Sequence, residues 1–412
     1  MELLAFILTC IVGVCAGEWL VRNLLALPVW RRTFHLQHDW DAPQTPTPPL
    51  SVVVAAKDEE ANIETCVRTM LEQDYPDFEL IVVNDRSSDR TSEIVRQIAA
   101  TDKRLTLIDV DHLPAGWCGK NHAMHQGLTR ARGELILMTD ADCRQASPKT
   151  LSLSMAFAQS RKADLLSLLP ALELESFWEK LLQPVCVGVL MVWFRPDRVN
   201  NPRKPQAYAN GMFMLIRREA YDAIGGHEAI KGSLIEDMDM ARRIKRSGMT
   251  LCMAPSEGLF HVRMYTTLGQ ILRGWNRIFF GAFRNPWRVL LAFAVLAYKG
   301  LTCYIAAAVG LGLHAAGAGE AWKTLGLLGL AGSVIETIMV CRYYTYTKSK
   351  WYLGLIYPFS CAWVCVMLLR SLLMYRRNAK LSWRDTTYAA NSSQGEMEPA
   401  GDLTTLPQAG QR

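Results

Sequence analysis

The run Leu135-Ile136-Leu137-Met138-Thr139-Asp140-Ala141-Asp142 is a hydrophobic strand that ends in two carboxylates one residue apart. A buried strand that stops in an acidic pair delivers oxygen ligands to the carboxyl edge of a sheet, where α/β proteins bind their ligands. A divalent cation clamped on a diphosphate is one use of such a pair. The alternative is that Asp140 and Asp142 are solvated turn residues, since Asp favours turns and a short motif alone has low specificity.

Short hydrophobic strands alternate with amphipathic helices on both sides of this run. The predicted strands cover residues 51–56, 78–83, 105–110 and 134–139, and the predicted helices cover 63–72 and 91–100. This alternation is typical of an α/β fold with a parallel sheet covered on both faces. Residues that follow each strand of such a sheet meet at one edge, so their carboxylates are expected to converge. The expected members are Asp58, Asp85, Asp140 and Asp142.

A cluster of carboxylates repels itself unless a cation or hydrogen-bond donors neutralise it. Donors are available in Gly116-Trp117-Cys118-Gly119-Lys120-Asn121-His122, a glycine-flanked turn that opens a predicted helix. Its backbone amides and the Lys120 ammonium are suited to phosphate oxygens. The alternative for Lys120 is an ordinary surface lysine.

A second acidic site lies in Ser233-Leu234-Ile235-Glu236-Asp237-Met238-Asp239-Met240. Apolar residues recur there at helical spacing, so Glu236 and Asp237 fall in the first turn of a helix, where negative charge suits the helix dipole. A carboxylate near a metal-bound phosphate ester is also suited to act as a general base on an incoming hydroxyl. The residues alone do not choose between Asp237 and Glu236. Asp239 is expected to be solvated or to support the other two.

Composition predicts a soluble domain joined to membrane segments, because 50% of the 412 residues are hydrophobic. The formal charge is +6, and the basic residues cluster around the apolar segments. Anionic lipid headgroups are therefore expected as partners, and nucleic acid is not. The cysteines form no CxxC pair and no zinc-type spacing, which favours a reducing compartment.

The apolar runs predict an integral membrane protein. The predicted organisation is a membrane anchor at 1–30, a proline-rich linker at 31–49, a catalytic domain at 50–260, interfacial amphipathic helices at 261–288, three membrane helices within 289–375 and a polar tail at 376–412. A further apolar run at 181–194 is expected to be interfacial or re-entrant, with a buried core helix as the alternative. The tail is expected to be disordered from Asn391.

Basic residues after the first apolar run predict that the catalytic domain lies on the cytoplasmic face of an inner or cell membrane. These residues are Arg22, Arg31 and Arg32. Four spans would then place the carboxyl terminus outside, although the basic residues after 375 favour the cytoplasm. Either one run is re-entrant, with the run containing Pro358 as the candidate, or the tail charges mislead.

Motifs in a fixed order resemble the signature of family 2 glycosyltransferases with the GT-A fold. They are SVVVAAKDEEANI at 51–63, QDYP at 73–76, VNDRSSD at 83–89, TDAD at 139–142 and IED at 235–237. The likeness covers about residues 50–280. Within the family, the chain is most similar to the membrane-bound branch with lipid acceptors, which includes ceramide glucosyltransferase-like, carotenoid and hopene-associated members. The segments FWEK at 177–180, RVNNP at 198–202 and MLIRRE at 214–219 look especially like the hopene-associated members.

The resemblance implies a role for each matching residue. Ala56, Asp58 and Asp85 would hold the base and ribose of a nucleotide sugar, most simply a UDP-sugar. Lys120 would lie near its diphosphate. Asp142, assisted by Asp140, would bind Mg²⁺ or Mn²⁺. Asp237, with Glu236 beside it, would be the base of a single inverting displacement.

Two departures from the family pattern bear on the acceptor. Asn84 stands where the family usually has Asp, although Asp85 is present. Processive members carry Gln-x-x-Arg-Trp, whereas this chain has Gln270-Ile271-Leu272-Arg273-Gly274-Trp275-Asn276-Arg277. The inserted Gly274 turns Trp275 by about 100° on a helix. Arg273 or Arg277 could still reach the diphosphate and Trp275 could cover the acceptor. The alternative is an interfacial helix with Trp275, Phe279 and Phe280 in the acyl boundary.

The sequence therefore predicts a membrane-anchored glycosyltransferase that moves a single sugar from a nucleotide-diphosphate sugar to a lipid hydroxyl at the cytoplasmic face. The lipid is expected to be of the sphingolipid, hopanoid or carotenoid type. A processive polysaccharide synthase is the alternative enzyme. A non-catalytic membrane scaffold that binds nucleotide sugar is the alternative from another functional class.

Overall fold

The computed structural model describes residues 2–32, 35–43, 45–375, 380–383, 386–391 and 396–399. The strands are β1 (Leu36–Gln37), β2 (Leu50–Ala56), β3 (Phe78–Asp85), β4 (Leu105–Val110), β5 (Leu135–Asp140), β6 (Cys143–Gln145), β7 (Leu165–Leu169), β8 (Ala171–Leu172), β9 (Met214–Arg217), β10 (Leu251–Glu257), β11 (Phe260–Val262), β12 (Lys380–Trp383), β13 (Thr386–Asn391) and β14 (Glu396–Pro399).

The helices alternate with these strands and then continue beyond them. They are α1 (Glu2–Arg32), α2 (Ile63–Leu71), α3 (Thr91–Ala99), α4 (Gly119–Arg130), α5 (Thr150–Ser160), α6 (Phe177–Trp193), α7 (Pro196–Val199), α8 (Arg218–Ala223), α9 (Glu236–Arg246), α10 (Leu268–Phe283), α11 (Pro286–Ala315), α12 (Glu320–Tyr346) and α13 (Tyr357–Leu373). Short 3₁₀ helices cover Glu228–Ile230 and Trp351–Ile356.

The central sheet confirms the predicted α/β fold. Its strand order is β1-β10-β7-β9-β5-β2-β3-β4, and only β9 runs antiparallel to its neighbours. The register pairs Ala55 with Asp140 and Ala56 with Asn84, so the strand ends that carry the acidic motifs are level with one another. A smaller sheet of β6, β11 and β8 begins directly after Asp142.

Both faces of the central sheet are buried, as parallel sheets require. Val53 and Val83 belong to one apolar core with α4, whereas Val52 and Val54 belong to a second core with α2. Helix α2 forms because its apolar residues recur every three or four positions and face that core. Helices α6 and α10 each begin with a capping box that fixes their first turn.

Helices α1, α11 and α12 pack into a bundle beside the catalytic domain. Glycines at positions 310 and 326 let α11 and α12 approach closely, as small residues do between membrane helices. The Trp19 indole donates a hydrogen bond of 2.9 Å to the Lys299 carbonyl, which ties α1 to α11. Among the described residues, five helices are long and apolar enough to cross a membrane, namely α1, α6 extended to Val199, α11, α12 and α13 with the preceding 3₁₀ turn.

Two predicted boundaries differ from the structure. Residues Leu36–Gln37, assigned to the linker, form β1 and pair with Ser256 and Glu257 of β10, because edge strands readily accept another extended segment. Residues Glu396–Pro399 pair with β13, so the disorder predicted from Asn391 does not hold there. Residues 392–395 and 400–412 of that prediction lie outside the described residues. All eleven cysteines lie within the described residues and are free.

Candidate active site

Asp58 follows β2 and joins two loops at the carboxyl edge of the sheet. Its carboxylate accepts hydrogen bonds from the backbone N–H of Ser88 at 2.7 Å and from the Ser88 hydroxyl at 3.1 Å. Its own N–H donates to Ser87 Oγ at 3.0 Å. The backbone of Asp58 is left-handed, with a φ of 52°, a conformation that Asp tolerates better than most residues. Ala56 is buried directly before this turn, so its backbone is the part that can contact a ligand.

Asp85 ends β3 and lies against the start of α4. It is 4% exposed, and the Arg86 guanidinium holds both of its carboxylate oxygens at 2.9 and 3.2 Å. A β-carbon at position 119 would stand 2.5 Å from Asp85 Oδ2, so only glycine fits there. Asn84 does not replace Asp85. Its amide donates to Asp109 at 2.9 Å and so orders the loop.

Lys120, in the first turn of α4, joins the two acidic motifs. Its Nζ lies 2.6 Å from Asp140 Oδ1 and 2.6 Å from Glu236 Oε1. Burial by itself would lower the pKa of Lys120, but the two carboxylates outweigh it and raise that pKa well above its usual range. Asp85, Asp140 and Glu236 therefore gather around the start of one helix, although they lie on β3, β5 and α9.

Asp140 and Asp142 offer the oxygen donors that a hard divalent cation prefers. Among the described residues, no group of three or more His, Cys, Asp or Glu side chains could hold a metal by itself. Two carboxylates with the remaining positions left to substrate phosphate and water are the usual arrangement for Mg²⁺. The residues therefore fit a cation that binds together with a diphosphate.

Asp237 is a buried carboxyl group with a raised pKa. Its carboxylate accepts hydrogen bonds from the N–H of Gly211 at 3.0 Å and from the N–H of Met238 at 2.7 Å. Burial and then the negative charge of Glu236 raise the pKa of Asp237 to about 7, against the opposing effect of Lys120 and the two hydrogen bonds. A base with a pKa near 7 can both accept and release a proton at physiological pH.

Asp239 stabilises the first turn of α9, which carries Glu236 and Asp237. It is buried and its carboxylate contacts Ser233 at 2.7 Å, Arg242 at 2.6 Å and Arg284 at 2.9 Å. These contacts anchor the start of α9 to the segment between α10 and α11. Of the two roles predicted for Asp239, the structure favours support over solvation.

The three residues of α10 that the sequence predicted to lie near the donor have different surroundings. They are Arg273, Trp275 and Arg277. Arg277 donates a hydrogen bond of 3.4 Å to the hydroxyl of Tyr265. Burial raises the pKa of Tyr265, Arg277 lowers it, and Asp142 and Asp140 raise it further, which places Arg277 and Tyr265 beside the acidic pair. Arg273 is exposed, and its guanidinium lies against Gly269 of its own helix.

Trp275 is 2% exposed and packs at a ring distance of 5.5 Å on Phe279 in the protein core. Phe279 and Phe280 are fully buried. The alternative prediction that these three aromatic residues lie in the acyl boundary is therefore wrong, because other helices cover that side of α10. Position 274 requires glycine for a separate reason, because a β-carbon there would collide with the ring of Tyr265.

Sequence reasoning missed Asn210, Gly211, Tyr208 and Tyr265. A β-carbon at Gly211 would stand 3.1 Å from Lys120 Nζ and 3.3 Å from Glu236 Oε1, so this glycine makes room for the ion pair. The Asn210 N–H donates to Ser167 Oγ at 2.8 Å, which holds the turn on β7. The Asn-Gly dipeptide before a hydrophobic strand was the available signal. No sequence signal pointed to Tyr208 or Tyr265.

Comparison with known proteins identifies the family and several relatives of this chain. Residues 48–278 match the model of a family described as Glycosyltransferase like family 2. A beta-monoglucosyldiacylglycerol synthase of Trichormus variabilis is 30% identical over 52% of this chain and 44% of its own. A 4,4'-diaponeurosporenoate glycosyltransferase of Staphylococcus aureus is 27% identical over 55% of this chain and 60% of its own. The chain thus spans about half the length of the curated relatives it matches.

A solved structure has the same fold. It is a mannosyltransferase of Pyrobaculum calidifontis in complex with GDP-Man and Mn²⁺, with a TM-score of 0.52 and 21% identity. The match covers 79% of this chain and 98% of the other. This likeness shows that the central and small sheets form a GT-A domain.

Proposed function

Because the chain belongs to the glycosyltransferase like family 2, we propose that it is an inverting hexosyltransferase with a membrane-lipid acceptor. It would transfer a single sugar from a nucleotide-diphosphate sugar to a lipid hydroxyl. The observation that carries this proposal is Asp237, a carboxyl group with a pKa of about 7 that two backbone N–H groups hold beside Glu236, which Lys120 joins to Asp140.

The reaction follows from the placement of these side chains. Asp237 takes the proton of the acceptor hydroxyl, and that oxygen forms a bond to the anomeric carbon. The bond from this carbon to the diphosphate oxygen breaks on the opposite face, and the nucleoside diphosphate leaves with the electron pair. The configuration at the anomeric carbon is inverted because a single displacement occurs.

Donor binding is assigned to the strand ends. Asp58 and Asp85 would hold the nucleoside, and Lys120 would exchange one of its carboxylates for a diphosphate oxygen. Asp142, with Asp140, would hold Mg²⁺ or Mn²⁺, which supplies positive charge for the departing diphosphate when it is bound. A UDP-sugar is the donor we propose. The mannosyltransferase with this fold was solved with GDP-Man and Mn²⁺, which supports a nucleotide sugar and a divalent cation in general.

A lipid acceptor is supported by the helices and by the relatives. The names of two relatives specify a glucosyldiacylglycerol and a diaponeurosporenoate, and both are lipids. Helix α10, which carries Arg277, packs directly on α11, α13 and α6, each apolar enough to enter a membrane. An acceptor hydroxyl would therefore reach Asp237 from the bilayer side.

Membrane topology follows from where α13 begins and ends. Near its start, Ser360 accepts a hydrogen bond of 3.4 Å from Tyr344, close to the end of α12. Just past its end, Tyr375 donates one of 2.9 Å to the Phe280 carbonyl, close to the start of α11. From these contacts we propose that both ends of α13 lie on the catalytic side, that α13 is re-entrant and that α1, α11 and α12 are spans. This topology puts the carboxyl terminus on the cytoplasmic side with the catalytic domain, as the positive charges after residue 375 favour.

The two alternatives are less well supported. A processive synthase stacks a sugar on the tryptophan of its Gln-x-x-Arg-Trp motif, whereas Trp275 is buried in the core. A non-catalytic scaffold gives no reason for a buried carboxyl group whose pKa is raised to about 7 next to Glu236.

The proposal is tested with membranes that contain the protein, UDP-[¹⁴C]glucose or other labelled nucleotide sugars, and Mn²⁺. Labelled material in the lipid extract that disappears in Asp237→Asn supports it. Labelled insoluble polymer would identify a processive synthase. Nucleotide-sugar binding without any product, over a panel of donors, would identify the scaffold.

A further inference from the structure

A cavity of about 700 Å³ separates the catalytic domain from the helical bundle. Its walls come from α1, α6, α11 and α12, and its roof comes from the ends of β7, β8 and β10. Ligand pockets in proteins are roughly 300–1,000 Å³, so the cavity has the size of a binding site. The described residues that line it are mostly apolar, and Val192 on its wall is 45% exposed.

The cavity reaches the neighbours of the catalytic base. Phe194, between the lining residues Trp193 and Arg195, packs at 5.4 Å on the ring of Tyr208. Tyr208 is buried so close to Asp237 that the carboxylate adds to the rise in the tyrosine pKa. Phe194 and Tyr208 therefore connect the segment that lines the cavity to the surroundings of the base.

Strand β7 gives a second connection. Ser167 binds the turn at Asn210, and the next residue, Gly211, donates its N–H to Asp237. Leu169, which lines the cavity, is two residues further along the same strand, or about 7 Å at the usual rise. Because β7 is parallel to β10 and points the same way as β5, the cavity opens at the sheet edge that carries Asp140.

Two of the basic residues that line the cavity are paired within the protein. The Arg195 guanidinium binds Asp197 through two hydrogen bonds of 2.9 Å, and Lys299 pairs with Glu18. Most of the other lining residues are apolar, and exposed apolar walls gain free energy when hydrocarbon covers them. The apolar walls therefore favour a hydrocarbon chain as the occupant.

We propose that this cavity holds a hydrocarbon chain of the lipid acceptor and so delivers the hydroxyl at its head to Asp237. The inference rests on the proposed function for the identity of the occupant as a substrate. It adds the binding site for the chain, which no sequence motif specified.

Occupancy is tested by photo-cross-linking in membranes. The probe is a diacylglycerol with a diazirine near the end of one acyl chain, and the labelled peptides are identified by mass spectrometry. We expect labelling within residues 185–192 of α6 that excess dioleoylglycerol removes and that Val192→Trp abolishes. Leu327→Trp, on an exposed lipid-facing position outside the cavity, is the matched control and leaves the labelling unchanged.

A second variant protects the test against misfolding. Gly188 lines the cavity, and a β-carbon there would stand 3.4 Å from the Tyr343 hydroxyl, so Gly188→Leu fills space without a severe clash. For either cavity variant, the KM for dioleoylglycerol is expected to rise roughly tenfold, since excluding two methylene groups costs about that in affinity. The KM for a dibutyrylglycerol and the Kd for UDP stay as in the unmodified protein.

Labelling that is no stronger on α6 than around Leu327, or that survives both cavity variants, would overturn the inference and indicate ordinary bilayer lipid. Competed labelling in a protein that transfers no sugar to any lipid would leave the cavity assignment intact and refute the proposed function. Sugar transfer with an unchanged KM for dioleoylglycerol in both cavity variants would refute the cavity assignment and leave the proposed function intact.

Discussion

The protonation of Asp237 should control the pH dependence of transfer. The base accepts a proton only as the carboxylate, so kcat/KM should rise with pH through about 7 and level off above it. With one group of that pKa, about 9% is ionised at pH 6 and about 91% at pH 8, which gives a rise of about tenfold. An ordinary Asp, with a pKa near 3.9, would give no change in this range.

Glu236→Gln perturbs this profile in a defined direction. The negative charge of Glu236 raises the pKa of Asp237, so its removal should lower that pKa and move the rising limb to lower pH. Glu219→Gln is the matched control, because this glutamate is exposed on α8 and pairs with Arg217 at the surface. Its profile should match that of the unmodified protein.

The assay is initial-rate transfer from a labelled nucleotide sugar to lipid between pH 5.5 and 9, with donor Kd measured at each pH. Asp237→Asn should reduce kcat by about 10²–10⁴ and abolish the limb while donor binding persists. A flat profile in the unmodified protein, or the same limb in Asp237→Asn, would refute the assignment of Asp237 as the base. An unmoved limb in Glu236→Gln would refute the charge argument alone.

Three further outcomes are expected. Asp142→Asn should abolish the dependence of donor binding on Mn²⁺, measured by calorimetry. The control Asp111→Asn, at an exposed loop position, should keep this dependence. Donor binding that still depends on Mn²⁺ in Asp142→Asn would exclude Asp142 as a metal ligand. Gly274→Ala should destabilise the protein by about 1–3 kcal/mol, because the added methyl collides with the Tyr265 ring; an unchanged melting temperature would contradict this packing. A carboxyl-terminal green fluorescent protein fusion in a bacterial membrane should fluoresce and an alkaline phosphatase fusion should be inactive; the opposite pair of results would mean that α13 crosses the membrane.

Much of the fold could be predicted from local sequence. The alternation of β2, α2, β3 and α3 was visible because the apolar period changes from two to about 3.6 residues within short windows. The structure places these elements within one or two residues of the prediction. The antiparallel β9 and the pairing of β1 with β10 had no such signal, because they depend on partners distant in the chain.

The acidic motifs were found for a similar reason. Asp58, Asp85 and Asp140 each come directly at or after the end of a strand, and parallel strands bring such ends to one edge. Their roles in donor and metal binding stay predictions. The burial of Trp275 was not foreseen, because a tryptophan on an amphipathic helix suits a membrane interface as well as a protein core until the covering helices are known.

The sequence by itself determined the α/β alternation, the acidic strand ends and the apolar helices, because each is a property of neighbouring residues. Only the tertiary structure decided that Lys120 joins Asp140 to Glu236, that Glu236 and burial bring the pKa of Asp237 to about 7, and that a cavity lies between the catalytic domain and the helical bundle. Electrostatic interactions and cavities depend on distances between side chains far apart in the chain, and these distances exist only after the chain has folded.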